Sequence, residues 1–210
     1  KAAKSSHWPG YHTDLYLFGY QDHTYGIIGC AVGSSFAVLV AEQLFAAGCE
    51  LLISITSAGQ IAAKGDPPYF VLIDRSLRDE GTSFHYLPPS RYAMIDPSLL
   101  NLLEDAFEGI SVPVHQGASW TTDGPFRETE AAIDRARRED ILAVEMEAAA
   151  LYAFARARDR PVICLAHVTN QMAQIEGDFE KGAADGTAAA LEVIDRTANA
   201  WHSHPITIDG

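Results

Sequence analysis

The chain has 210 residues, 48% of them hydrophobic and 20% charged, which suits one globular α/β domain with a sizeable core. A formal net charge of −13 argues against a nucleic-acid partner, because a polyanion needs a face of clustered Lys and Arg. No apolar stretch approaches the ~18 residues of a membrane span, and no signal peptide is visible, so no membrane partner is expected.

Residues 1–24 are polar and aromatic without a clear period and receive no assignment. "YGIIGCAVG" (25–33) reads as a buried strand ending at a glycine turn. In "SSFAVLVAEQLFAAGC", Phe36, Leu39, Val40 and Leu44 form a helical stripe, with serines as N-caps and Gly48 as a stop. "ELLISI" (50–55) is a second strand. The three together predict a βαβ unit, a parallel pair and a right-handed crossover.

Further strands are predicted at 69–73, 111–116, 141–145 and 161–168, and helices near 97–108, 128–139, 146–158 and 183–200. The stretch 74–96 reads as a long polar and aromatic connection, a length that is often functional. With no internal repeat and no domain boundary, the expectation is one three-layer α/β/α domain over residues 1–210. Its central sheet would be mostly parallel, with ligands at the carboxyl ends of the strands.

Cys30, Cys49 and Cys164 each sit in an apolar run without CxxC pairing, which predicts buried thiols in a reducing, cytoplasmic compartment. GxGxxG, GxxxxGK[ST], GxSxG and HExxH are all absent. The eight histidines show no metal-ligand spacing, so neither a metal nor a cofactor is expected.

The segment "ILAVEMEAAALYAFA" (141–155) sets Glu145 and Glu147 around Met146, between an apolar strand and an alanine-rich helix. Residues i and i+2 on a helix do not face each other, so the two carboxylates have different jobs. One reading is structural: acidic groups at a helix start complement its dipole and cap free N–H groups. The other is that a carboxylate there accepts hydrogen bonds from a ligand with adjacent hydroxyls, such as ribose. Met146 would then supply a soft apolar surface beneath the sugar.

"VEMEAAALYAFA" resembles the sugar-binding segment of the purine and uridine phosphorylase superfamily, which also contains the methylthioadenosine/S-adenosylhomocysteine nucleosidases. "ISITSAGQI" (53–61), "DEGTSFHYLPP" (79–89), "SWTTDGPFRET" (119–129) and "HVTNQMA" (167–173) resemble further segments in the expected order. The resemblance implies the fold described above and an enzyme that cleaves the N-ribosidic bond of a purine or pyrimidine nucleoside. It implies that Glu145, Met146 and Glu147 form the ribose site, with Glu147 on the hydroxyls and Glu145 supporting the loop. Asn170 would face the base and stabilise charge on it, which makes Glu147 and Asn170 the catalytic pair. The 119–129 segment would close over the base through Trp120, Thr121 and Arg127. For Trp120 a core position, and for Arg127 a surface ion pair, are equally open.

The nucleophile is phosphate in the phosphorylases and water in the nucleosidases. Gly33, Ser34, Thr56 and Ser57 are the candidates to hold it. Ser54 stands where uridine phosphorylases carry an arginine, and no arginine precedes Arg75. Two explanations are open: the family's opening strand, with one phosphate arginine, lies upstream of Lys1, or the protein uses water as the nucleosidases do. The resemblance further implies a homo-oligomer. The alternative reading is a catalytically degenerate protein that binds a nucleoside without cleaving it.

Overall fold

The computed structural model describes residues 1–10, 12–170 and 186–203. Residues 183–185 of the last expected helix and 171–173 of "HVTNQMA" lie outside the described residues. In chain order the elements are β1 (Ala3–Lys4), β2 (Tyr16–Tyr20), β3 (His23–Ile27), α1 (Ser34–Ala46), β4 (Leu52–Gln60), β5 (Tyr69–Asp79) and β6 (Tyr92–Met94). They continue with α2 (Pro97–Leu102), β7 (Val114–Thr122), α3 (Glu130–Arg138), β8 (Ile141–Glu145), α4 (Ala148–Arg158), β9 (Val162–Asn170) and α5 (Thr187–Ser203).

The main sheet is mixed and closed. Its order is β6-β5-β7-β8-β4-β9, and β9 pairs back onto β5. The pairs β5–β7, β7–β8 and β4–β9 are parallel, whereas β4–β8, β5–β9 and β5–β6 are antiparallel. This corrects the expected three-layer arrangement with a mostly parallel sheet. β5 explains the closure. Its ladder with β7 shifts register between Ile73 and Arg75, and such a bulge bends a strand. Before the bend, Tyr69–Leu72 pair with β9; after it, Arg75–Leu77 pair with β6. The stretch 74–96, expected as a loop, therefore contains the second half of β5 and all of β6.

The predicted βαβ unit does not form either. β3 pairs with β2 around the two-residue turn Gln21–Asp22, in a separate antiparallel sheet β1-β2-β3. The adjacent "YLFGY" run offers a local partner, so the apolar run at 25–28 is not needed in the barrel. Ile27 is 49% exposed, and Cys30 beyond it is exposed too, against the expectation of three buried thiols. The sheet leans on α5 through Tyr25 Oη, which donates to Asp195 at 3.0 Å, and through the His23–Asn199 hydrogen bond.

Helix α4 is apolar nearly all round, the pattern of a buried helix, and Ala148–Phe154 are all buried. It packs on α1, β5, β6, β7 and β9, where its alanines allow close approach. α1 meets it with small residues as well. α1 buries Ala37, Val38, Val40 and Ala41, while Leu39 of the expected stripe is 43% exposed. α3 covers a second apolar cluster of Ile61, Ala118, Trp120, Ala136, Ile141 and Val144.

Tyr152 of α4 holds the barrel seam. The antiparallel β5–β9 ladder ends at Leu72–Leu165, so Ile73 and Cys164 would be the next pair. Instead the Tyr152 hydroxyl stands between them, donating to Ile73 O at 2.6 Å and accepting from Cys164 N–H at 3.1 Å. It satisfies the two backbone groups left by the parting strands and ties both to the helix. Tyr152→Phe is expected to lower the unfolding free energy by about 1–3 kcal/mol, the effect of unpartnered buried backbone groups, as read from denaturant melts. An unchanged midpoint would show that the hydroxyl does not hold the seam.

Candidate active site

Antiparallel closure means that the barrel strands have no common carboxyl edge. The ends of β8 and β9 still meet, because β4 and β8 overlap by only two residue pairs. Gly59 pairs with Val144 on one side and with Asn170 on the other. The Glu145–Glu147 turn therefore leaves β8 beside the place where β9 ends.

Both carboxylates are buried, Glu145 to 3% exposure and Glu147 to 5%, so each must be satisfied internally or by a ligand. Glu145 is satisfied internally. Its Oε2 accepts from the N–H groups of Glu147 and Ala148, both at 2.7 Å, which caps the start of α4. Its Oε1 accepts from Thr121 at 2.5 Å, Ser119 at 3.0 Å and Ser76 at 3.3 Å. Ser76 is also 2.7 Å from both Thr121 and Ser119, and Thr121 Oγ1 accepts from Ala149 N–H at 2.9 Å. The three hydroxyls bring only three protons to these five O···O contacts, so a proton on Glu145 would supply a fourth. Burial holds the Glu145 carboxyl above the usual glutamate range, while Thr121 and the N–H of Ala148 pull the other way. Ser76 and Ser119 were not foreseen. Ser119 shares a strand face with Thr121, a visible alternation, but Ser76 lies in "DRSLRD", which reads as loop.

Glu147 faces α1 and β4. Its Oε1 accepts from Gly33 N–H at 2.7 Å, and its Oε2 from Thr56 Oγ1 at 2.8 Å and from Met146 N–H at 3.3 Å. The Ser34 hydroxyl donates to Met146 O at 2.8 Å. Gly33 has φ 90° and ψ 148°, a region essentially closed to L side chains, and this conformation turns its N–H towards the carboxylate. The structure thus brings Gly33, Ser34, Thr56, Met146 and Glu147 together. Three of the four groups expected to hold phosphate or water, Gly33, Ser34 and Thr56, are engaged with the carboxylate turn itself.

The other candidates lie around this centre. Ser57 is exposed, with its hydroxyl 3.3 Å from that of Thr169. Asn170 is half-buried at the end of β9, its Nδ2 3.5 Å from Thr169 Oγ1. Thr121 serves the Glu145 network. Trp120 points to the opposite face of β7, into the cluster under α3, and donates through Nε1 to Asp79 Oδ2 at 2.9 Å. It walls a cavity of about 210 Å³ on that side together with Leu77, Arg91, Arg135 and Glu139. Arg127 is exposed, one residue beyond Phe126, which is 100% exposed. Neither Trp120 nor Arg127 is brought to Glu147 by any hydrogen bond among the described residues. Also among the described residues, no group of three or more His, Cys, Asp or Glu could hold a metal ion, and no helix is long and apolar enough to cross a membrane.

A profile of the phosphorylase superfamily matches residues 2–200. The chain belongs to that superfamily. A guanosine phosphorylase from Halorubrum lacusprofundi is 28% identical over 130 residues, which is 62% of this chain and 54% of the relative. The chain thus spans about half the length of the curated relative it matches. Among solved structures, uridine phosphorylase from Vibrio fischeri ES114 has the same fold. Its complex with 6-hydroxy-1-naphthoic acid matches at TM-score 0.73 and 18% identity, covering 95% of this chain and 79% of the other. A second structure of that enzyme matches at TM-score 0.74 and 20% identity, covering 90% and 78%. The closed mixed barrel therefore has the α/β fold of a nucleoside phosphorylase.

Glu145 yields two expectations for this superfamily member. Glu145→Ala removes the acceptor from two buried N–H groups and three hydroxyls, and is expected to destabilise by about 3 kcal/mol or more. Glu145→Gln keeps an oxygen for the N–H pair and turns an amide to the hydroxyls, mimicking the protonated acid. Because the folded carboxyl has the raised pKa, its stabilising share is complete below the usual glutamate range and is lost as pH rises through the folded value. The stability of wild type relative to Glu145→Gln should therefore fall as pH rises above about 4.3 and then level off. Denaturant melts of both proteins across pH would reveal a flat difference if Glu145 is not held protonated.

Proposed function

We propose that this chain belongs to an enzyme that cleaves the N-ribosidic bond of a nucleoside, with phosphate as the attacking group. The observation that carries this reading is the buried Glu147 carboxylate, held between the α1 turn and β4 beside the end of β9. Internal donors satisfy most of this buried carboxylate, and its Oε1 keeps an acceptor position that a sugar hydroxyl can use. The guanosine and uridine phosphorylases among its relatives support the same class of reaction.

In this mechanism Glu147 grips the ribose hydroxyls, and Met146 packs beneath the sugar. Cleavage develops positive charge on the sugar and negative charge on the departing base. Glu147 favours the former, and the Asn170 amide can donate to the latter. Arg127, on its exposed turn, is the cation assigned to the base side in this proposal. Glu145 and Thr121 position the turn rather than touch substrate. A homo-oligomer is part of the same proposal.

A second reading, hydrolysis by water, is favoured by one feature. The anion side is short of charge: Ser54, within β4, stands where uridine phosphorylases carry an arginine, and the Gly33 and Ser34 donors are already engaged, which leaves little compensation for a phosphate dianion. Chromatography of guanosine, inosine, uridine and adenosine incubated with the protein separates the two. Free base that appears only with phosphate, with ribose 1-phosphate alongside, supports phosphorolysis; base and free ribose in either buffer indicate a hydrolase. If no nucleoside yields base, the protein is a nucleoside binder at most. Glu147→Ala is expected to lower kcat/KM by at least about 100-fold, since a charge-assisted pair of hydrogen bonds is lost. Activity within threefold of wild type would remove Glu147 from the sugar site.

A further inference from the structure

We propose that Thr56 is a specificity-determining residue, an internal hydroxyl that occupies Glu147 where a second sugar hydroxyl would bind. The inference rests on the reading of Glu147 as the sugar site, and it follows from counting acceptor positions. A carboxylate offers about two lone-pair positions on each oxygen. On Oε2 both are taken, by the Thr56 hydroxyl at 2.8 Å and by Met146 N–H at 3.3 Å. On Oε1, Gly33 N–H at 2.7 Å takes one and leaves one. The Gly33 and Met146 donors are backbone groups fixed by the turns before α1 and α4, so neither can swing to another acceptor as a hydroxyl can. Thr56 differs: its hydroxyl already lies 3.3 Å from a second acceptor, the carbonyl oxygen of Ser57, and the side chain is only half-buried.

The consequence is selective. A sugar that presents one hydroxyl to Glu147, as a 2′-deoxyribonucleoside does, can use the open position on Oε1 and leave Thr56 in place. A vicinal diol needs a position on each oxygen, so a ribonucleoside must first turn the Thr56 hydroxyl away to Ser57 O. The hydrogen bond surrendered is charge-assisted, and it therefore weighs against the ribo sugar alone. Thr56 thereby narrows the preference for ribonucleosides over 2′-deoxyribonucleosides.

The test is calorimetric binding of guanosine, 2′-deoxyguanosine, uridine and 2′-deoxyuridine to wild type, Thr56→Val and Thr56→Ser, with folding checked by circular dichroism. Thr56→Val keeps the shape and suits a strand but carries no donor. It should tighten ribonucleoside binding about tenfold and change the 2′-deoxy Kd by less than about threefold. Thr56→Ser retains the donor and should keep the wild-type ribo-to-deoxy ratio. If wild type binds nucleosides and Thr56→Val shows the same ratio, the inference fails while the sugar site stands. A ratio shifted equally by Thr56→Ser also overturns it, because the hydroxyl would not be the cause. If wild type and both variants bind none of the four, the sugar-site reading fails, and the inference with it.

Discussion

One buried carboxyl, Glu145, connects the parts on which the candidate site depends. It joins the end of β8 to the start of α4 through two backbone N–H groups, and it joins both to β5 and β7 through Ser76, Ser119 and Thr121. A helix that enters a core must leave its first N–H groups somewhere, and an apolar core offers no acceptor. Glu145 is that acceptor, and it sits at the point where three strands and the central helix converge. Because the hydroxyls and the carboxyl share a limited set of protons, the network has few satisfied arrangements, which holds the turn in one conformation.

Glu147 stands on that platform. Its peptide N–H is one of the two that Glu145 accepts, so the placement of the second carboxylate follows from the first. From there Glu147 reaches across to elements distant in sequence, Gly33 before α1 and Thr56 in β4. The division of labour between two glutamates two residues apart is a matter of direction. One faces into the barrel wall and is fully used; the other faces Gly33 and Thr56, with one acceptor position to spare.

The barrel is the means by which these distant residues meet. The register shift in β5 lets one strand serve both β9 and β6, and the seam it leaves is completed by Tyr152 from the same helix that Glu145 caps. α4 is therefore fastened at its start by a carboxyl and in its middle by a phenol. Its alanines let α1 approach closely enough for Gly33 and Ser34 to touch the Met146–Glu147 turn.

Local features of this protein were legible from the chain alone. The strand at Ile141–Glu145 was read with its observed bounds, and α3, α4 and β9 within one or two residues at most boundaries, because apolar runs and caps are local signals. The family was legible too, from motifs that keep their order. Tertiary structure decided the rest. "YGIIG" reads as a buried strand by composition, yet a neighbouring aromatic run captures it into a separate hairpin sheet. "DRSLRD" reads as loop by polarity, yet its Ser76 is buried inside a barrel wall that only long-range closure creates. Trp120 and Thr121 are adjacent in sequence and equally plausible at a site, but the pleat sends them to opposite faces of β7. The sequence determined which residues carry the carboxylates and hydroxyls of the candidate site. Which acceptor positions remain open depended on strand direction, register and the approach of α1, all of them set by packing between segments distant in sequence, such as Gly33 and Glu147, 114 residues apart.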